Sequence, residues 1–207
     1  MPRLETERLL LRPPVFGDAP AIARWLGDYE IAKNMDSSPF PITTRDAEHL
    51  VKKAIEDQAR GEAYSFAIVR KESGRLLGFC SLTLHEGAYE ISFWIARPFW
   101  GQGFASEAAK KLAGFAFKTL KAERIAARWF DDAPASGRVL GKLGFTPLRA
   151  EASTTPARGL KALSHRMELY RENFGRKPRR VSPQQSHWVP QRSGLRWDAA
   201  LTCCQGA

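Results

Sequence analysis

Hydrophobic and polar positions alternate with period two in three neighbouring stretches, residues 64–70, 76–84 and 88–96, and each is expected to be a strand. The third is the clearest: Ile91, Phe93 and Ile95 alternate with Glu90, Ser92 and Trp94. Only a few residues join these stretches, which predicts an antiparallel meander and not βαβ units. Pro98 has no N–H to give a ladder and ends the third strand. Gly101 and Gly103 then allow a tight turn without side chains. From Ala105 the period changes. Ala105, Ala108, Ala109, Leu112, Phe115 and Ala116 recur at three and four, which predicts a helix over about 104–118.

The flanks continue the pattern. Residues 4–13 read as a first strand ending at Pro13, and Asp18 before Ala19-Pro20 as a helix N-cap. Thr43 to Asp46 opens a longer helix with Ala47, Leu50, Val51, Ala54 and Ile55 in phase. Residues 123–130 predict a strand, Asp131-Asp132-Ala133-Pro134 the cap of a short helix to Lys142, and Gly144 its C-terminal stop. Residues 145–148 and 165–170 are the last expected strands. The predicted class is α+β, a mostly antiparallel mixed sheet flanked by helices, with one crossover helix. Beyond Phe174 the period is lost and Pro, Gln, Ser and Arg dominate. The expected organisation is one domain over 4–172 and a basic, disordered tail over 175–207.

Composition narrows the partners. No run approaches the roughly 18 apolar residues of a membrane span, and Met1-Pro2-Arg3-Leu4-Glu5 begins no apolar leader. Cys80, Cys203 and Cys204 have neither metal-ligand spacing nor the pattern of a disulfide framework. A cytoplasmic protein with no metal and no membrane contact is expected, as a monomer or homodimer. Half of the net charge of +10 sits in 175–207, where six basic residues face Asp198 alone. The domain is therefore only modestly basic, and contact with nucleic acid or a ribosome is expected only through the tail.

Candidate chemistry starts at the glycine turn. A helix N-terminus behind bare glycines offers N–H groups and a positive dipole end, which suits a phosphate or pyrophosphate. Gly101-x-Gly103-x-x-Ser106 could also be a degenerate dinucleotide fingerprint with Glu123 on the ribose. That fingerprint belongs to a parallel βαβ unit, whereas this one follows a meander. Cys80 reads as a buried inert thiol, His49, His85 and His165 as ordinary surface or sheet residues, and Glu107 as complementing the helix N-terminus.

Trp100-Gly101-Gln102-Gly103-Phe104-Ala105-Ser106-Glu107-Ala108 resembles the acyl-CoA pyrophosphate motif of the GNAT superfamily, Gln/Arg-x-x-Gly-x-Gly/Ala, with Trp100 at the Gln/Arg position. Pro134 to Phe145 is similar to the N-P-A-S-x-x-V-L-E-K-L-G-F block of the branch that includes the ribosomal-protein N-acetyltransferases RimJ and RimL. Leu4 to Arg12 resembles that branch's opening. The resemblance implies a GNAT-like fold and an enzyme that transfers acetyl from acetyl-CoA to a primary amine, either a protein N-terminal α-amine or a small-molecule amine.

It also implies site residues. Trp100, Gly101, Gln102, Gly103, Phe104, Ala105 and Ser106 would bind the cofactor's pyrophosphate, and Phe93, Ile95 and Ser136 its pantetheine arm. Glu90 would act as general base or amine contact, and Ser136 as a possible proton donor to the thiolate. Three positions depart from the pattern: Ala133 for asparagine, Gly141 for glutamate, and Leu140 where many members have a tyrosine acid. They leave a catalytically degenerate acyl-CoA-binding protein as the alternative. Acceptor choice is expected in the loops around 27–42 and 150–163.

Overall fold

The computed structural model describes residues 2–36, 38–85 and 87–176. The tail expectation falls, from Lys177 onward, outside the described residues. Strands β1 (Leu4–Glu5) and β2 (Leu9–Arg12) replace the single first strand, and they pair antiparallel with Leu4 opposite Leu11. The cause is a turn closed without Gly or Pro. The Thr6 N–H donates to the Leu9 carbonyl, and the Leu9 N–H to Thr6 Oγ1, each at 2.9 Å.

Helix α1 (Ala19–Leu26) follows, but Asp18 does not cap it. Its carboxylate instead accepts two hydrogen bonds from Arg12, at 2.7 and 2.8 Å, and one from the Val15 N–H. A charged bidentate partner outcompetes a backbone N–H for the same oxygens. The expected loop 27–42 contains a short helix α2 (Tyr29–Ala32), capped by Asp28. Helix α3 (Thr44–Ala59) starts on a reciprocal box: Thr43 and Asp46 each accept the other's backbone N–H.

Strands β3 (Ala63–Arg70), β4 (Leu76–His85) and β5 (Ala88–Ile95) form the expected meander. Helix α4 (Phe104–Lys118) crosses over to β6 (Arg124–Phe130), which pairs with β5 in parallel. Helix α5 (Pro134–Leu143) and strands β7 (Thr146–Ser153) and β8 (Ala162–Tyr170) complete the order β1-β2-β3-β4-β5-β6-β8-β7. The expected loop 150–163 is thus shortened to 154–161, its two ends belonging to β7 and β8. Asp131 and Asp132 do not cap α5, where Ala133 holds the N-cap position without a side-chain bond. The two carboxylates turn to partners distant in the chain: Asp131 lies 3.0 Å from His165 Nε2, and Asp132 2.7 Å from Arg158 and 3.3 Å from Lys33. Gly144, at φ +94°, does stop α5, and the Phe145 N–H closes the last turn on the Leu140 carbonyl at 3.1 Å.

One face of the sheet packs on α4 and α5 through Phe66, Leu82, Ile91, Leu112, Phe115 and Leu140. The other packs on α1 and α3 through Ile22, Leu26, Val51 and Trp94. Among the described residues no helix is long and apolar enough to cross a membrane.

Strands β4 and β5 approach closely at Gly78, where an added Cβ would stand 2.0 Å from the Trp94 carbonyl oxygen and 2.9 Å from Ile95 Cα. Both neighbours are backbone and cannot move alone. Gly78→Ala is therefore expected to cost about 1–3 kcal/mol, as overpacking does, and to lower Tm by roughly 3–10 °C. Thermal unfolding followed by circular dichroism checks this; an unchanged Tm would refute the tight approach.

Candidate active site

The β5–β6 pairing is short. It joins Tyr89, Glu90 and Ile91 to Ile125, Ala126 and Ala127. Beyond that β5 runs on to Ile95 beside β4, and β6 to Phe130 beside β8, so the two strands part. Their facing edges, Ser92–Ile95 and Arg128–Phe130, have no strand partner among the described residues. A wedge of unpaired backbone opens in the middle of the sheet.

The wedge leads to the glycine turn. Trp100 folds back so that its Nε1 donates to the Ile95 carbonyl at 2.6 Å, tying the turn to the end of β5. Gly101 and Gly103 take φ of +75° and +81°, the left-handed region that glycine enters freely. Gly103 is the N-cap of α4 and brings no side chain to it. The first intrahelical bond runs from the Glu107 N–H to the Gly103 carbonyl, at 3.1 Å. The N–H groups of Phe104, Ala105 and Ser106 lie ahead of that ladder. Phe104 is buried, Ala105 and Ser106 half-buried, and Gln102 exposed, with its Nε2 3.3 Å from the Pro98 carbonyl.

Glu107 lies in the first turn of α4, as expected, and is also bound from outside the helix. Its carboxylate accepts from Thr6 Oγ1 (2.6 Å), the Arg8 N–H (3.0 Å) and Arg8 Nε (2.7 Å). Arg8 also donates to the Gln102 carbonyl at 3.0 Å and lies over the Phe104 ring. A cation from β1–β2 therefore stands beside the turn. Sequence reading missed it, because the chain neighbours of Arg8 show only a strand end.

A cavity of about 600 Å³ runs from the α1–α3 side through the wedge. On the α1–α3 side its floor is polar: Ser81 and Ser92 hydroxyls share a hydrogen bond at 2.8 Å, with Glu90 and Thr83 next along the strands. Glu90 sits at the head of the wedge, and Arg166 Nη1 lies 3.2 Å from its carboxylate. Arg166 also donates to Glu151 at 2.9 Å, while Arg128 pairs with Asp36 and donates to Ser153. These arginines, like Arg8, were not legible from local pattern; their cross-strand register, Arg128 opposite Arg166, brings them together.

On the other side the cavity meets Phe93, Trp129, Ser136 and Leu140. Ser136 lies in the first turn of α5, its N–H bonded to the Ala133 carbonyl at 3.0 Å. Ile95 is buried in the α4 core and does not line the cavity. His165 is a sheet residue of β8, as expected, where it is buried and stacks on Trp129 at 4.4 Å. His49 and His85 are exposed. Cys80 is buried, and burial pushes its thiol well above the usual range, which leaves it an inert core group.

Burial of Glu107 opposes its ionisation, but the hydrogen bonds from Thr6 and Arg8 outweigh it and hold its pKa below the ordinary 4.5. A carboxylate whose folded pKa is depressed stabilises the fold above the unfolded pKa, and that contribution is lost as pH falls through the folded value. Glu107→Gln is expected to flatten the fall in Tm between about pH 5 and 3. Parallel melting curves for both proteins would argue against the Thr6–Arg8–Glu107 linkage.

Residues 8–146 match the family model described as Acetyltransferase (GNAT) domain. The chain is 32% identical to the uncharacterized N-acetyltransferase p20 of Bacillus licheniformis over 148 residues, 70% of this chain and 83% of that one. In structure it is similar to RimL, a ribosomal L7/L12 alpha-N-protein acetyltransferase solved with coenzyme A: TM-score 0.73, 19% identity, covering 82% of this chain and 98% of that one. Mycobacterium smegmatis RimJ, solved with CoA-disulfide, gives 0.72 at 19% identity, covering 82% and 85%. At such identities these two likenesses establish the fold alone.

Proposed function

The chain belongs to the GNAT acetyltransferase family and is an acetyl-CoA-dependent N-acetyltransferase; from that premise we propose that its acceptor is a primary amine, delivered to the basin beside Glu90. The carrying observation is the place of Glu90 at the head of the wedge, one residue before the last pair of β5 with β6.

The donor set fits the co-substrate. The uncapped start of α4 and the bare turn offer N–H groups to a pyrophosphate. The open β5 edge offers N–H and C=O groups in the spacing of a strand, matching an arm that carries amides. Acetyl-CoA supplies the activated acyl group as a thioester. Gly101, Gln102, Gly103, Phe104, Ala105 and Ser106 would hold its phosphates, with Trp100 fixing the turn. Phe93, Ile95 and Ser136 would flank the arm, Ile95 through its backbone.

Glu90 receives the proton of the attacking amine as the C–N bond forms and the C–S bond breaks. A β5 backbone N–H stabilises negative charge at the thioester oxygen. Ser136 can give a proton to the departing sulfur, although a thiolate of pKa near 8.5 leaves without help. Protein N-terminal amines suit the site better than lysines, because an α-amine of pKa about 8 is more often neutral. The acetylation of a protein α-amine named for RimL supports that choice; a small amine of similar pKa is the other acceptor.

Release of CoA thiol with a panel of peptides and small amines tests the reading. Glu90→Gln is expected to lower kcat/KM roughly 10²- to 10⁴-fold. An unchanged kcat/KM would take Glu90 out of the mechanism, and no product with any amine would sink the acceptor assignment. Arg8→Ala, which leaves the Glu107 carboxylate beside the phosphate site without its cation, should raise KM for acetyl-CoA about 10-fold with little change in kcat. The double variant Arg8→Ala, Glu107→Ala should recover part of it; no recovery would mean that repulsion by Glu107 is not the cause.

A further inference from the structure

Among the described residues, Trp129 Nε1 is the buried side-chain polar atom left without a hydrogen-bond partner. Native interiors keep few such atoms, and each calls for a reason. The indole cannot turn to find an acceptor within the chain. One side stacks on His165, with ring centres 4.4 Å apart and planes 22° from parallel. Gly137 abuts the same ring so closely that any Cβ there would lie 2.8 Å from it. A donor is held in place with no acceptor among the described residues.

Its location says what is missing. Trp129 lies on the part of β6 that has left β5, beyond the last pair Ile91–Ala127, and lines the cavity with Phe93, Ser136 and Leu140. The ring's surroundings there are mainly apolar, so a neutral carbonyl suits the site better than a phosphate. Ala133, where the resembled pattern carries asparagine, brings no amide to this wall. We propose that Trp129 is a co-substrate-binding residue, whose indole N–H donates to an amide carbonyl of the pantetheine arm. This rests on the acetyl-CoA reading above. It also gives Gly137 a role: the absent side chain lets the ring sit where its N–H meets the ligand, and Phe93 and Leu140 exclude water from the bond.

Calorimetry with two probes tests this: CoA, and 3′-phospho-ADP, which keeps the pyrophosphate and lacks the arm. Trp129→Phe should bind CoA roughly 3- to 10-fold more weakly, the equivalent of one neutral hydrogen bond, and 3′-phospho-ADP as the wild type does. A second measurement needs no variant. The Trp129 indole ¹H–¹⁵N signal, identified by its NOEs to Gly137, should move on adding CoA and stay in place with 3′-phospho-ADP. Wild-type CoA affinity in Trp129→Phe, equal losses for both probes, or a stationary signal in CoA-saturated protein would each overturn the proposal. Wild-type protein that binds neither probe would overturn the acetyl-CoA reading, and this assignment with it.

Discussion

A parallel pair of strands cannot be joined by a hairpin; the chain must cross over, usually through a helix. In this protein that requirement falls between β5 and β6, and much of the site follows from it. The crossover helix α4 has to begin where β5 ends, so its uncapped N-terminus arrives beside the strand's last residues. The pairing it serves lasts only three residues on each strand. One connection therefore produces both an uncapped helix end and the open strand edge that leads to it. Trp100 ties the two with a bond to the Ile95 carbonyl.

Much of this was legible in the chain. Period-two alternation marked β3, β4 and β5, the change of period marked α4, and the glycines between marked the turn. What escaped were interactions between residues far apart in sequence. Asp18, Asp131 and Asp132 have the look of helix caps, yet each gives its carboxylate to a charged or imidazole partner, and for the last two that partner lies across the fold. Glu107 also bonds Arg8, 99 positions away. The split of the first strand was hidden because Thr6 closes its turn with a hydroxyl, where glycine or proline would have announced it. The insertion of β8 between β6 and β7 leaves no local trace at all.

The departures from the family pattern have different physical weights. Gly141 faces open space, where an added Cβ would meet nothing within 4 Å, so its cost is limited to the roughly 1 kcal/mol of a glycine inside a helix. Leu140 is fully buried among the core side chains while touching the cavity, so it adds apolar wall where a phenol would have added a proton. In the proposed mechanism, proton delivery to the leaving sulfur is therefore left to Ser136 or to none.

Arg158 is buried between three segments. It bonds Asp132 twice, the Lys33 carbonyl at 2.7 Å and Asn34 at 3.2 Å, and lies over the Phe130 ring at 4.0 Å. Thr155 adds a bond to the same Lys33 carbonyl, and Lys33 itself pairs with Asp132 and Glu30. The end of α2, the β6–α5 corner and the 154–161 loop are thereby one electrostatic unit beside the cavity, which Asn34 and Phe130 line. Such a rim resists change most at the β6–α5 corner: replacing Asp132 would leave the Arg158 guanidinium without its counter-ion, while replacing either other segment would remove a partner from the Lys33 carbonyl or from Asp132. On the acceptor reading proposed above, this bonded unit behaves as a cassette, and an engineer wishing to transplant it would move Asp132 together with Arg158 and Lys33.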